Sequence, residues 1–385
     1  MAPLRSTIGR SFGKLLGLAR GRDLPGTGSG GAAKDTQLNS RYYGSRPKSI
    51  EFAVPIDASG GTKLEIGDYT YHLFKAPGTF TVSDGPPTSE CEVVALGGGG
   101  SGGFFYGDGG GAGGGLHAPA YPLTPGPYTV AVGEGGVGPP DGGSANGAAG
   151  TASEFYPTPV GAGEGASNMY ARGGGGGGYK QNEPHPAPAS GFPWNPLSGT
   201  GSGGGQHNGS TPEITPTFPT STQHPAVPPT GKYSARGGDV PYYTSASAGA
   251  AGIVGGGETN EASCTSCGGA GKAFPNFPGP GMYDEMPAPE QTAWGGTTWR
   301  DTLGPGGNVG GGGNGWRPTG STPAARSTGG GGQGGSSSGG PTPVTDDDVN
   351  GINYTGSGGG VYGPTGPGNG GDGLVWIRYE TTPSG

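Results

Sequence analysis

Residues able to do chemistry are few in this chain, and their spacing narrows what that chemistry could be. Cys264 and Cys267 form a CxxC pair, and two thiolates at that spacing can take two corners of a tetrahedral zinc site. Such a site needs two further ligands, so two of His72, His117, His185, His207 and His224 would have to converge on it. A local disulfide and a pair of inert thiols are the other readings. Asp346, Asp347 and Asp348 offer the oxygen ligands that calcium takes, although three adjacent acids more often make a solvated turn. Asn208 and Asn353 head formal N-glycosylation sequons. GxGxxG spacings recur, but glycine supplies 96 of 385 residues. They therefore arise by chance, and none follows a strand and opens a helix as dinucleotide binding requires. No serine, histidine and acid arrangement and no carboxylate pair on a recognisable element supports hydrolysis. The expectation is a non-enzyme with no catalytic residue, metal or cofactor.

The elements that would carry any site are set by glycine and proline, which together make up about a third of the chain and which ordinary helices and sheets exclude. Residues 91–96 (CEVVAL) have the content of a strand buried on both faces, and they run straight into residues 97–115, of which 13 are glycine. Glycine loses the most backbone entropy on ordering and brings no apolar surface in return. An ordered glycine block must therefore be held by backbone hydrogen bonds. The form that fits is a left-handed helix of the polyproline II type, which has no internal hydrogen bonds and needs lateral partners. Blocks at residues 97–115, 173–178, 304–315, 329–340 and 356–373 predict a lattice of such helices.

Net charge is −8, which argues against a nucleic-acid groove, since that needs a basic stripe. The charge is uneven. Residues 1–22 carry Arg5, Arg10, Lys14, Arg20 and Arg22 and no acid, leaving 15 basic against 28 acidic residues beyond them. Leu4, Ile8, Phe12, Leu15, Leu16 and Ala19 fall near helical spacing among these charges. Gly9, Gly13 and Gly17 each lower helicity by about 1 kcal/mol against alanine. A docking peptide that orders on a larger partner is the functional reading, with Arg5, Ile8, Arg10, Phe12, Lys14, Leu15, Arg20 and Arg22 as its contacts. A frayed tail and a membrane-surface helix are the alternatives. No run approaches the roughly 18 apolar residues of a membrane span, so membrane insertion is not expected. Three cysteines are too few for a disulfide scaffold, which suggests assembly in a cytoplasm.

Strand-like runs follow at residues 50–56, 69–74, 79–82, 91–96 and 128–132, and a last one at residues 374–379 (LVWIRY). The expected fold class is mainly β and irregular: a small antiparallel β-sandwich or sheet framing a large glycine-rich insertion. The expected domains are a docking peptide (1–22), a linker or arm (23–49), a β-rich region with the first glycine block (50–135), a glycine lattice with proline and aromatic loops (136–372), and a closing strand with tail (373–385).

The order of PGTFTV (residues 77–82), VVALGGGGSGG (93–103), PGPYTVAVGEGG (125–136), repeated glycine blocks and GDGLVWIRY (371–379) resembles the glycine-rich domain of tailed-phage virion proteins, tail-fibre adhesins among them. Residues 1–24 also resemble the starts of marine-phage virion proteins. The resemblance implies a structural virion component, assembled in the host cytoplasm, that joins other virion proteins through its N-terminus. It further implies a multi-copy or homo-oligomeric assembly presenting loops to a host surface glycan or protein. A capsid-surface decoration or head-fibre protein and a self-assembling extracellular filament are the alternatives. Tyr179, Trp194, Tyr283, Trp294, Trp299 and Trp316 lie in or beside the proline-rich segments and are the receptor-contact candidates. The competing reading of these aromatics is packing, in a fold short of apolar side chains.

Overall fold

Alternating β-branched and aromatic residues build the frame, because such side chains pack well on a pleated surface. A computed structural model of the chain describes residues 56–158, 169–178, 267–316, 326–334 and 346–381, less a few short interruptions, and four short strands between residues 198 and 240. One six-stranded sheet runs in the order β1 (Asp57–Ser59), β4 (Gly78–Asp84), β7 (Gly126–Ala131), β8 (Ser153–Pro157), β9 (Met169–Ala171) and β10 (Ser198–Gly199). The other runs β12 (Gly231–Tyr233), β6 (Gly115–Leu123), β5 (Ser89–Leu96), β18 (Leu374–Glu380), β3 (Tyr69–Phe74) and β2 (Thr62–Ile66). Two-stranded pairs join β11 (Gln206–His207) to β13 (Asp239–Val240), β14 (Lys272–Ala273) to β15 (Asn308–Val309), and β16 (Val361–Tyr362) to β17 (Gly366–Pro367). Pairing is antiparallel except for β9 with β10 and β11 with β13. The fold is therefore mainly β, in antiparallel sheets with few helices.

The second sheet is covered on both faces, and its central strands show it in their alternation. Val93, Ala95, Val375, Ile377 and Tyr379 point into a core shared with Phe80, Tyr128, Val130 and Phe155 of the first sheet. Val94, Leu96, Leu374 and Trp376 point the other way, into a second core with Phe274, Phe277, Trp294 and Trp299. Strand β18 is hydrogen-bonded to β3 on one side and β5 on the other, with Val375 opposite both Phe74 and Ala95. The last strand of the sequence thus sits in the middle of the sheet. More than 270 residues separate it from β5, so the glycine segments are an insertion between two neighbouring strands.

Three expectations are altered, and a fourth, the strand-like run at 50–56, is not tested. Residues 50–55 fall outside the described residues, and the first described strand starts at Asp57. The glycine block 97–115 is two segments, and Gly115 already belongs to β6. Strands β6, β8 and β9 come from residues with weak alternation. Finally, residues 273–299, expected to lie among the proline and aromatic loops of the lattice, are not all loop. The latter part forms α1 (Pro280–Glu285), α2 (Ala288–Ala293) and α3 (Gly296–Leu303), where prolines sit at helix starts and so do not break them. A one-turn α4 (Asp346–Val349) completes the helices among the described residues.

Candidate functional site

Beyond the sheets, the glycine segments hold one another by backbone alone, and residues 97–104 show how. Gly97, Gly100 and Gly103 donate to the carbonyls of Gly114, Gly111 and Asp108 at 3.0, 2.8 and 2.9 Å. Gly98, Ser101 and Phe104 donate to Thr151, Ala148 and Ala145, while Gly99 and Gly102 donate to Gly371 and Gly368. Residues three apart therefore face the same neighbour. The carbonyls of Gly98, Gly99 and Gly100 accept from three further segments, through Gly174, Gly136 and Gly359. Segment 97–104 is thus ringed by 107–114, 172–178, 145–151, 133–138, 368–373 and 355–361. Each neighbouring pair in that ring is itself hydrogen-bonded, for instance Gly111 to Gly175, Thr151 to Glu134, Gly370 to Gly136 and Gly113 to Gly356.

Segment 355–361 is the centre of a second ring. Its neighbours are 97–104, 107–114, 310–316, 329–334, 348–352 and 368–373, joined by bonds such as Gly358 to Gly311, Gly332 to Gly358 and Gly360 to Val349. The approach of these backbones excludes side chains. A Cβ on Gly98, Gly99 or Gly100 would lie 2.1, 1.9 and 2.1 Å from the carbonyl oxygens of Glu134, Ser357 and Gly175. Where a non-glycine residue does enter, its side chain serves the backbone. Ser101 is fully buried; its Oγ donates to the carbonyl of Val137 and accepts the N–H of Ala148. Ser357 Oγ donates to Gly329 O at 2.7 Å.

The register also orients the body. The ends at Gly97, Gly114, Thr151, Arg172 and Gly373 adjoin the sheets. The opposite ends of these segments lie at Phe104, Gly138, Gly178, Trp316 and Val361.

The docking residues Arg5, Ile8, Arg10, Phe12, Lys14, Leu15, Arg20 and Arg22 lie outside the described residues, as do Tyr179 and Trp194. The other four receptor-contact candidates are buried: Tyr283, Trp294, Trp299 and Trp316 are 6, 0, 1 and 6% exposed. Three of them belong to the second core, where Trp294 meets Trp299 at 5.1 Å and Tyr283 packs on Trp299. Tyr283, Trp294 and Trp299 thus pack on the sheet's outer face together with Phe274, Phe277, Met282 and Met286, while Trp316 lies at the end of segment 310–316, its backbone N–H donating to Gly107 O. Cys267 is disulfide-bonded, which removes the zinc reading of the CxxC; Cys264 lies outside the described residues. Cys91 is a free thiol in the first core, and burial pushes it well up. No group of three or more His, Cys, Asp or Glu that could hold a metal occurs among the described residues. Asp346, Asp347 and Asp348 belong to α4, and the Arg326 guanidinium donates to the carbonyls of Asp347 within it and of Asn350 just after it.

One ionic cluster went unpredicted. Glu92 is 4% exposed and accepts from three elements. Its Oε1 is 2.7 Å from His117 Nε2, and its Oε2 is 2.9 Å from both Arg378 Nη1 and Asn276 Nδ2. Arg378 in turn lies over the Tyr69 ring at 3.4 Å. Burial alone would raise the Glu92 carboxyl, but the bonds from His117, Arg378 and Asn276 outweigh it and hold it below the ordinary value. The cluster ties β5, β6 and β18 to the segment that crosses the second core. His72 does similar work in the first core, with Nδ1 donating to Gly60 O at 2.7 Å and Nε2 facing Tyr379 Oη at 3.0 Å. Burial lowers its pKa. Both clusters join elements of the frame. Single charges inside apolar strands gave the only signal of them in sequence.

Family comparison points to the same stretch of chain. A family model described as a glycine-rich domain matches residues 75–380, which runs from the end of β3 through β18. No curated protein shows a comparable match.

Proposed function

Since the chain belongs to the glycine-rich domain family, we propose that its glycine segments are left-handed polyglycine II helices and that they form the body of a non-enzymatic structural protein of a tailed-phage virion. The observation that carries the first half is the three-residue period of the donors in 97–104. A polyproline II-type helix has three residues per turn and no internal hydrogen bonds, so each of its three rows must find a different partner. The two rings then stack as three layers: 172–178, 107–114 and 310–316; then 145–151, 97–104, 355–361 and 329–334; then 133–138, 368–373 and 348–352. Such a body is held without a side-chain core, by backbone hydrogen bonds between neighbouring segments.

The second half of the proposal assigns it a job. A stiff body fixed to sheets at one end is suited to presenting segments at the other. The sequence that follows two of its far ends, at 139–144 and 179–197, is rich in proline and, in the latter, aromatic residues. A stiff loop loses less entropy on binding. In this reading the protein is a tail-fibre or appendage component for host attachment, meeting a surface glycan or protein through those segments. The basic residues 1–22 would join it, in several copies, to other virion proteins assembled in the host cytoplasm. It contacts no nucleic acid and enters no membrane. The experiment is to label purified particles with antibody against the chain and to add purified protein to host cells before challenge. Label on a tail or appendage and reduced adsorption are expected; absence of the chain from particles would overturn the proposal. Particles carrying the chain on the capsid, with no effect on adsorption, would replace attachment by decoration.

A further inference from the structure

We infer that the glycine body carries a side-chain fence along its exposed edges that limits the stack to one chain, and that the partner it excludes is the same edge of a second copy. The inference rests on the lattice reading above but not on the placement in a virion.

Any backbone able to complete three-residue rows can in principle be joined by another. Within the body, neighbouring segments run both ways: 97–104 leads away from the sheets and 107–114 returns to them. Chain direction therefore does not stop accretion. What stops it is the Cβ. Gly147 and Gly150 face segment 97–104, where a Cβ would lie 2.2 Å from the Ser101 and Gly98 carbonyl oxygens. Gly133 and Gly136 face segment 145–151 at 2.2 and 2.1 Å from Thr151 and Ala148 oxygens. The remaining positions of the same segments, which face solvent, are not glycine. Glu134, Val137 and Pro140 are exposed at three-residue spacing, and Val137 is the one large apolar residue among the described ones to stand 69% exposed. Asn146 and Ala149 form another exposed row, and Ala148 and Thr151 a third. An incoming helix would meet a Cβ at each turn of these rows, where the interior glycine positions leave no room for one.

The donors an incoming chain would need are also occupied, by side chains and not by backbone. Gly135 N donates to Asp372 Oδ1 at 2.9 Å and Gly138 N to Asn369 Oδ1 at 2.7 Å. Asn369 N donates to Asn350 Oδ1, and Glu134 N to Thr151 Oγ1. This is the counterpart for a glycine stack of the charges and bulges by which β-sheets blunt their edges.

The test compares the full-length chain with Asn146→Gly, Ala148→Gly, Ala149→Gly combined, which opens the 145–151 edge. Sedimentation velocity over a 100-fold range of concentration should show species heavier than those of the parent, growing with concentration. A variant with Ala148→Ser and Ala149→Ser, which keeps a Cβ at both positions, should sediment as the parent does. A folded triple variant that associates no more than the parent overturns the fence. Equal association of the serine variant also overturns it, since a Cβ would then not be what matters. If the triple variant does not melt cooperatively, Val137→Gly on the adjoining segment carries the same comparison. Failure of the lattice reading itself is read separately, by Gly99→Val leaving the melt unchanged.

Discussion

The sandwich and the glycine body sit end to end in one unit yet reach stability by opposite means. In the sandwich, side chains do the joining: Tyr128 stacks on Phe155 at 5.2 Å with Tyr121 edge-on at 5.1 Å, and apolar burial is the main favourable contribution. In the glycine body, side chains are what must be absent, and the favourable contribution is a dense set of backbone hydrogen bonds near 2.9 Å. Each such bond contributes only about 1 kcal/mol net, while an unpaired buried group costs about 1–3 kcal/mol. The body thus tolerates no vacancy, whereas a sandwich can lose a methyl group and relax. The lesson is that a core is defined by what its packing forbids, and the two halves forbid different things.

The largest effect expected from this contrast is at the ring centres. Gly99→Val or Gly358→Val would put a Cβ 1.9 or 1.7 Å from the carbonyl oxygen of Ser357 or Gly110, backbone atoms that cannot rotate away. Soluble, cooperatively melting protein should be lost, as judged by expression and calorimetry; a normal melt would show the glycine segments to be loosely packed. Next comes Phe155→Ala in the sandwich, which should cost about 3–5 kcal/mol yet leave a folded chain, measurable by denaturant titration. Were both substitutions to behave alike, the distinction drawn above would collapse.

Acid should separate the two halves more gently. His72 has its pKa lowered from the ordinary 6.5, so its contribution is complete above that value and shrinks as pH falls below it. Glu92 is held below the ordinary 4.5; its contribution is present above that value and is lost as pH falls through the folded pKa. Amide exchange in β3, β5 and β18 should accelerate first below about pH 6.5 and again below about pH 4.5. After correction for intrinsic rates, amides of 97–104 should follow only global unfolding, as their partners are carbonyls that do not titrate. His72→Gln should remove the first step and leave the second. The smallest effect sharpens the comparison from within one residue type. Gly281 in α1 meets nothing within 4 Å of a Cβ and has no left-handed backbone. Gly281→Ala should therefore stabilise by about 0.4–1 kcal/mol, a shift readable in the melting temperature.

The frame was legible to the extent that it alternates. Residues 69–74 read as the β3 that forms, and residues 91–96 and 374–379 fall within β5 and β18, whose two-faced burial follows from the apolar runs 93–96 and 374–377. The glycine blocks announced backbone-held structure, but not which partners they choose. Segments 133–138 and 145–151 escaped notice because only their inward rows are glycine, and Ala148, Ala149 and Val137 make them look like ordinary linker. The helical cover was missed for the opposite reason: Pro280 and Pro287 look like breakers and act as starters. Trp294 and Trp299 were candidates for recognition because sequence alone does not say that β18 leaves Trp376 a bare face needing aromatic neighbours, Phe277 stacking on it at 4.6 Å. A small polar residue inside a glycine run, such as Ser101, and polar residues three apart, such as Asn369 and Asp372, are the signals to look for.

The ring around residues 97–104 also fixes an order of events during synthesis. Its members at 355–361 and 368–373 emerge some 250 residues after its centre, as does the strand β18 that completes the sheet beside it. At roughly 5–20 residues per second of translation, the first glycine segment waits on the order of a quarter of a minute or more for its last neighbours. During that time the amides of Gly99 and Gly102, whose acceptors are Gly371 and Gly368, have only water, and the edge of β5 that pairs with β18 stands open. Neither half is complete before these late segments have emerged, so the sheet and the ring close on the same stretch of chain.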